Sequence, residues 1–413
     1  MKKILVVLIS LVLVLAVFSG VPSGKIGAEE KPTSIGWLFW YPEPTDFLKQ
    51  YNNSQNKVKV EYENVGGNNF VQVLNTRLAA GEGPELYSIY YRELYEQQAK
   101  EKGLVDLSGE TFWKSFDPMA IEQNRAADGK IYGLPTSIIV NCVFYNTEIL
   151  AKYKIAPPTN WQDYMAACAT LKAKGVVPQV QGMKDLWQCK YVGLNPVSAM
   201  LYKDSQWLVK LNKGEVKWTD ADCLAQYRKK EEFIKKGYLM EGSISMTFQQ
   251  AWQVFCEGKA AFIGGGSYFL NNVFPQLKPS FKWGVIPTPV IDKGNPVKVE
   301  YAADTTTVAI NAKGKNVAKS LQFIRWFARP ENMKKWTVSA QTFGPGKDPN
   351  YNFAPGAERF RSLLKMDKFK FDREPAYLAT EFGKTQQEMV LGLKTAEDVV
   401  KELQAKTDLS IKK

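Results

Sequence analysis

Six aromatic residues, Trp40, Tyr41, Tyr90, Tyr91, Trp187 and Tyr268, fall at the ends of expected strands or in loops rather than on core stripes. Rings held in such places can stack on the flat C–H faces of sugars and leave the hydroxyls to polar partners. Ordinary packing accounts for any one of them; their joint position points to a site. Trp252 shares a helical stripe with Phe248, Ala251 and Phe255, so core packing explains it at least as well. Asp304 is a charge inside an extended apolar stretch, Tyr301-Ala302-Ala303-Asp304-Thr305. It is either an acceptor for sugar hydroxyls or a surface salt-bridge partner. Glu43 and Asn146 are weaker candidates of the same kind.

The run Gly264-Gly265-Gly266-Ser267-Tyr268 follows an expected strand. Glycines there, Gly266 included, let backbone approach a ligand, and Ser267 is placed to cap the next helix. Phosphate binding is the other reading, but the Lys-Ser/Thr ending of a P-loop is missing.

Several chemistries drop out. With no histidine in the chain, Ser-His-Asp and Cys-His catalysis and imidazole zinc sites are excluded. A glycoside hydrolase needs two carboxylates across a cleft, and nothing in the sequence places a pair. Adjacent Tyr90-Tyr91 leaves ferric iron open as a ligand. A polyamine site would need concentrated carboxylates, and an anion is a further non-sugar solute to weigh. No metal or cofactor is expected. The cysteines (Cys142, Cys168, Cys189, Cys223 and Cys256) include no Cys-x-x-Cys pair; several suit buried stripes, and a Cys142–Cys189 bridge is open.

The elements that must hold these residues read as α/β. Ser34–Trp40, Lys57–Glu63 and Leu86–Ile89 are expected strands separated by helices, the pattern of βαβ units, whose ligands bind at carboxyl strand ends. Thr159 with Gln162 and Thr247 with Gln250 read as capping boxes, and Asp220–Lys236 as an amphipathic helix stopped by Gly237. Asp128-Gly129 opens a strand broken at Gly133-Leu134-Pro135. The apolar run to Tyr145 then continues to Asn146, a helix cap. A strand broken and resumed in this way suits a chain leaving one domain for another.

Met1-Lys2-Lys3 followed by apolar Ile4 to Phe18 suits a signal peptide ending near Ser19 or Ala28. It is short for a span of about 20 residues. No cysteine follows it to carry a lipid anchor, so an exported, soluble chain is expected. Net charge is +12, and losing Lys2, Lys3 and Lys25 would leave +9. The lysines are scattered singly among acids, which argues against nucleic acid.

Leu78-Ala79-Ala80-Gly81-Glu82-Gly83-Pro84-Glu85, the Asp128–Asn146 crossing, Pro158-Thr159-Asn160-Trp161, Phe255 to Phe262 before the glycine run, and Phe323 to Asn332 occur in order. Together they resemble the extracellular solute-binding proteins of ABC importers, in the sugar-binding family that includes maltose-binding protein. The resemblance implies a two-lobed, periplasmic-binding-protein-like α/β fold. Each lobe would be a mainly parallel sheet flanked by helices, joined by several hinge crossings. The division implied is 1–28 signal peptide, 29–139 plus 301–337 first lobe, and 140–300 plus 338–413 second lobe. It further implies a monomer with no catalytic activity, delivering a di- or oligosaccharide to a membrane permease. Tyr268 would stack on a sugar ring, with Trp40, Tyr41 and Tyr90 supplied by the first lobe.

Overall fold

A computed structural model describes residues 31–41, 43, 45–89, 92–303, 306–348, 356–370 and 375–411. The expected signal peptide, Tyr90, Tyr91 and Asp304 lie outside the described residues. In chain order the strands are β1 (Thr33–Phe39), β2 (Val58–Asn64), β3 (Leu86–Ile89), β4 (Gly133–Pro135), β5 (Ile139–Asn146) and β6 (Gln179–Val180). Then come β7 (Phe262–Gly266), β8 (Trp283–Pro287), β9 (Val299–Ala302), β10 (Thr307–Ile310) and β11 (Lys368–Lys370). They form two sheets. The first has the order β2-β1-β3-β10-β4; the second runs β11-β9-β5-β7-β6, with β8 also on β5.

Alternation along β1 explains the first sheet's two cores. Trp37 and Phe39 face one side, where Phe323, Phe327 and Trp336 pack on them; Leu38 faces the other, with Phe70, Leu74 and Tyr87. In the first sheet only β2-β1-β3 is parallel, and in the second β11 is parallel to β9 and β6 to β7. β10 is antiparallel to β3 and β4, and β5 is antiparallel to β7, β8 and β9. The sheets are therefore mixed rather than mainly parallel, because strands re-entering from the other sheet arrive from the opposite direction.

The junction is built from three passages. Thr136 N donates to Thr306 O (3.2 Å), and the Ser137 and Thr306 hydroxyls meet at 2.7 Å. Ile138 N donates to Phe343 O (2.9 Å), tying in the third passage. Helix Pro118–Gln123 wedges between the cores, with Ala120 in the second sheet's core and Ile121 against the first. Its last residue, Gln123, donates through Nε2 to Tyr301 O (2.9 Å), and its Oε1 accepts from Ala303 N (2.6 Å). The sequence showed none of this clasp.

Local signals held well. Thr247 and Gln250 form the expected capping box, and Asn146 caps its helix by accepting from Glu148 N and Ile149 N. That role, with 3% exposure, removes Asn146 from the ligand candidates. At the Thr159 helix the cap is Asn160, which accepts from Asp163 N (2.9 Å); the Gln162 side chain instead bonds Asp292 and Lys293. All five cysteines are buried and free, so no Cys142–Cys189 bridge forms.

Candidate functional site

β7 positions the most informative residues. Its three glycines make room for side chains and not for an approaching ligand. A Cβ on Gly264 would lie 2.6 Å from Tyr191 Cβ, and one on Gly265 2.9 Å from Trp252 Cζ2. On Gly266 it would sit 2.7 Å from Tyr268 Cε1 and 2.9 Å from Asn141 Oδ1. Gly266 thus fixes the seat of the Tyr268 ring and is itself buried. Ser267 does not cap the following helix, which covers only Phe269–Asn272; its Oγ accepts from Val140 N (3.2 Å) and holds β7's end to β5.

Past that end, Tyr268 meets Trp187 edge-on at 5.9 Å (68°) and Phe248 at 6.2 Å, and Trp187 lies 5.3 Å from Phe248. All three sit at the amino or carboxyl ends of their elements. Tyr268 also packs on Ile139 and Ala302, where β5 and β9 meet the junction. Trp187 and Tyr268, both expected at a site, are half-buried; Phe248 is 8% exposed and belongs to the core that seats them. Phe248 is the first helical residue after the Thr247 cap. Trp252, four residues on, faces inward at 0% exposure against Phe144 (4.9 Å) and Phe269 (4.5 Å). Trp252 belongs to the core, because one helical turn carries it down into the sheet's packing face.

The carboxyl end of β1 supplies the other side. Trp40 is half-buried and meets the Tyr41 ring at 4.8 Å (74°). Tyr41 is 2% exposed, so its ring is packed and not offered to a ligand. Burial raises its pKa. The Asn271 and Thr342 side chains act on its hydroxyl, though these contacts fall short of full hydrogen-bond geometry. Asn271 lies three residues past Tyr268 and donates to Ala340 O (3.1 Å). The end of β1 therefore meets the segment that begins with Tyr268. Glu43 is exposed nearby, and the Tyr62 pKa is raised first by burial and then by the Glu43 charge.

Beneath Tyr268 runs a polar network that the sequence did not reveal. Tyr191 Oη donates to Asn141 Oδ1 (3.0 Å), and Asn141 Nδ2 donates to Glu300 Oε1 (3.1 Å). Ser198 Oγ donates to the same oxygen (2.7 Å), and Thr288 Oγ1 to Oε2 (3.1 Å). Burial raises the Glu300 pKa, while these donors and the Lys190 charge pull it back. Behind Trp187, the buried Lys230 ammonium donates to Cys189 O (2.8 Å), Leu194 O (3.3 Å) and Lys190 O (3.4 Å). It caps carbonyls at the end of the 3₁₀ turn Leu186–Tyr191. Desolvation pulls its pKa down to about 7. A signal existed: Lys230 shares the stripe of Cys223, Tyr227 and Phe233, where a lysine has no surface to reach. Among the described residues no group of three or more His, Cys, Asp or Glu side chains gathers to hold a metal. No helix among them is long and apolar enough to cross a membrane.

Residues 42–334 match the family described as bacterial extracellular solute-binding protein, and the chain belongs to that family. It is 24% identical over 284 residues to the melibiose/raffinose/stachyose-binding protein MelE of Bacillus subtilis, covering 65% of this chain and 63% of that protein. It is 19% identical to the multiple sugar-binding protein of Streptococcus mutans, covering 70% of this chain and 68% of that protein. Among solved structures, apo RafE from Streptococcus pneumoniae superposes with a TM-score of 0.75 at 19% identity, over 94% of this chain and 100% of that one. A chitin oligosaccharide binding protein gives 0.76 at 21%, over 92% and 99%. These likenesses make the fold the two-lobed α/β fold of solute-binding proteins.

Proposed function

We propose that this protein is the substrate-binding component of an ABC importer. It captures a carbohydrate, a di- or oligosaccharide, between its two lobes and hands it to a membrane permease. In this reading it is exported, monomeric and non-catalytic, and its lobes are 29–139 with 301–337 and 140–300 with 338–413. The observation that carries the reading is the corner of Trp187, Phe248 and Tyr268 beside the strand crossings. The half-buried Trp187 and Tyr268 rings, backed by buried Phe248, offer surface to sugar units, and the half-buried Trp40 brings a further ring from the first lobe. Tyr90, Tyr91, Glu43 and Asp304 are the polar and aromatic partners this reading adds. Family membership supports it, as do relatives whose names carry melibiose, raffinose and stachyose. A ligand touching both lobes favours the closed state by those contacts.

The test is a thermal-shift screen with raffinose, stachyose, malto-, xylo- and chito-oligosaccharides, monosaccharides, a polyamine and ferric iron. A ligand that binds only the folded state raises the melting temperature by mass action. One sugar series is expected to shift it in wild type and not in Tyr268→Ala. Shifts with iron or polyamine alone overturn the carbohydrate reading, and sugar breakdown on prolonged incubation overturns the non-catalytic one.

A further inference from the structure

The 3₁₀ turn that carries Trp187 is held to β7 by buried side-chain amides that lie outside the aromatic corner itself. Gln179 and Gln181 flank Val180 at the end of β6, and both are fully buried. The Gln181 carboxamide closes a two-bond clamp on Gly264 of β7. Its Oε1 accepts from Gly264 N (3.1 Å), and its Nε2 donates to Gly264 O (3.2 Å). β6 pairs with β7 only as far as Val180 and Ile263, so this side chain takes the place of the next peptide group in the ladder. The same Nε2 donates to Gln188 Oε1, on the residue beside Trp187. Gln179 holds the far end of the turn, donating from Nε2 to Tyr191 O (2.7 Å) and accepting at Oε1 from Gly193 N (2.9 Å). Gly264 admits this layer because it has no side chain; a Cβ there would lie 2.6 Å from Tyr191 Cβ and 3.2 Å from Gln181 Oε1.

We infer that Gln181 is the positioning residue for the Trp187 ring and through it for the choice of sugar, a role that rests on the carbohydrate reading of the corner. Both rings are then referenced to one strand. Tyr268 follows two residues after Gly266 at the end of β7, and Trp187 is set from Gly264 through Gln181 and Gln188. The Trp187–Tyr268 separation of 5.9 Å and angle of 68° are the result. Apolar packing is non-directional and by itself tolerates a shift of the turn. Buried amides do not. A slip of one residue would take Gln188 from its partner and leave polar groups unpaired in the interior, at a cost larger than the bonds themselves contribute. The Lys230 ammonium behind the turn imposes no plane, whereas a carboxamide bonds in its own plane and so fixes register. A ring held in this way discriminates between sugars. A ligand of another linkage presents its faces at another angle and must displace the turn to be stacked.

The experiment is fluorine NMR of fluorotryptophan-labelled protein, with Trp187→Phe identifying the Trp187 resonance. Wild type, Gln181→Met and Gln188→Met are compared without ligand. Their affinities for raffinose, stachyose, xylohexaose and chitohexaose are then measured by calorimetric titration. Methionine keeps the length of the side chain and removes the amide. In both variants the Trp187 resonance is expected to shift or broaden, while those of the first sheet's core tryptophans, Trp37 and Trp336, keep their positions. Affinity for the sugar that wild type binds best falls by roughly three- to tenfold, and the preference for it over the other sugars narrows. Gln188→Met leaves the Gly264 clamp intact, so it decides the matter if Gln181→Met does not fold. An unmoved Trp187 resonance overturns the proposal, and so does a moved one with unchanged affinity and preference. General displacement of the tryptophan resonances makes Gln181 a residue of the fold alone and overturns it as well. Binding of no sugar by wild type overturns the carbohydrate reading, and the ligand-free resonance then decides by itself whether Gln181 positions the ring.

Discussion

Trp187 and Tyr268 meet edge to face at 5.9 Å although one stands in a 3₁₀ turn and the other just past a central strand. Each ring limits the orientation of the other. Trp187→Ala and Tyr268→Ala should each lower sugar affinity by about tenfold or more. The double variant should lose less than the two effects combined, since one substitution already disorders the shared surface. Calorimetric titration of the four proteins with the sugar found by the thermal screen checks this. Strict additivity would mean that the rings act on separate parts of the ligand.

Gly266→Ala should be costly in a particular way. The added methyl meets the Tyr268 ring at 2.7 Å and Asn141 Oδ1 at 2.9 Å, so the ring must leave its seat. Overpacking of this kind costs about 1–3 kcal/mol. Melting and affinity should therefore fall together. A stable Gly266→Ala protein with unchanged affinity would show that Tyr268 does not need that seat.

Lys230 predicts a pH dependence with a definite sign. Its folded pKa is about 7, against an ordinary 10.5. Between those values the unfolded chain holds a proton that the folded chain has released. Stability should then rise with pH across that window by about 1.4 kcal/mol per unit for this one group, and lose the gain as pH falls toward 7. Denaturant unfolding of wild type and Lys230→Met from pH 6 to 10 isolates the contribution as a difference. Parallel curves would mean that Lys230 stays charged through its three carbonyl contacts. Trp187 fluorescence, read against Trp187→Phe, should titrate with the same midpoint, because Lys230 holds the turn that carries Trp187.

Tyr41→Phe should leave the β1 core intact while removing a contact between the end of β1 and Asn271 and Thr342. A fully formed hydroxyl hydrogen bond contributes about 0.5–1.5 kcal/mol, and this looser contact less. Affinity is expected to fall by roughly twofold as the closed arrangement loses this contact. The ligand-free protein then gains radius of gyration in small-angle scattering. An unchanged scattering curve and affinity would make Tyr41 only a packed core ring.

Much of the fold was legible because its causes are local. Leu86–Ile89 forms as a strand, Thr247 caps as expected, and the helix expected at Asp220–Lys236 covers Ala221–Lys235, with Gly237 at φ 65° just past its cap. The helix cap at Asn160 differed by one residue, since neighbouring Thr and Asn side chains both suit the role. No local pattern marks strand β11, which is three residues long and pairs with β9, distant in sequence.

The sequence by itself determined the alternation of strands and helices and the absence of histidine chemistry, both legible from composition and from residues a few positions apart. The break expected at Gly133-Leu134-Pro135 falls instead at Thr136-Ser137, because Gly133–Pro135 pairs with β10 as strand β4. The tertiary structure decided which aromatics are buried and which keep exposed surface. Trp187 and Tyr268 keep exposed surface, while Trp252 and Tyr41 are packed away although the sequence offered all four as site candidates. It also decided why the glycines stand in β7 and where Lys230 finds its acceptors, Cys189, Lys190 and Leu194. Those answers depend on side chains brought together from distant segments, and no local spacing encodes which of them will meet.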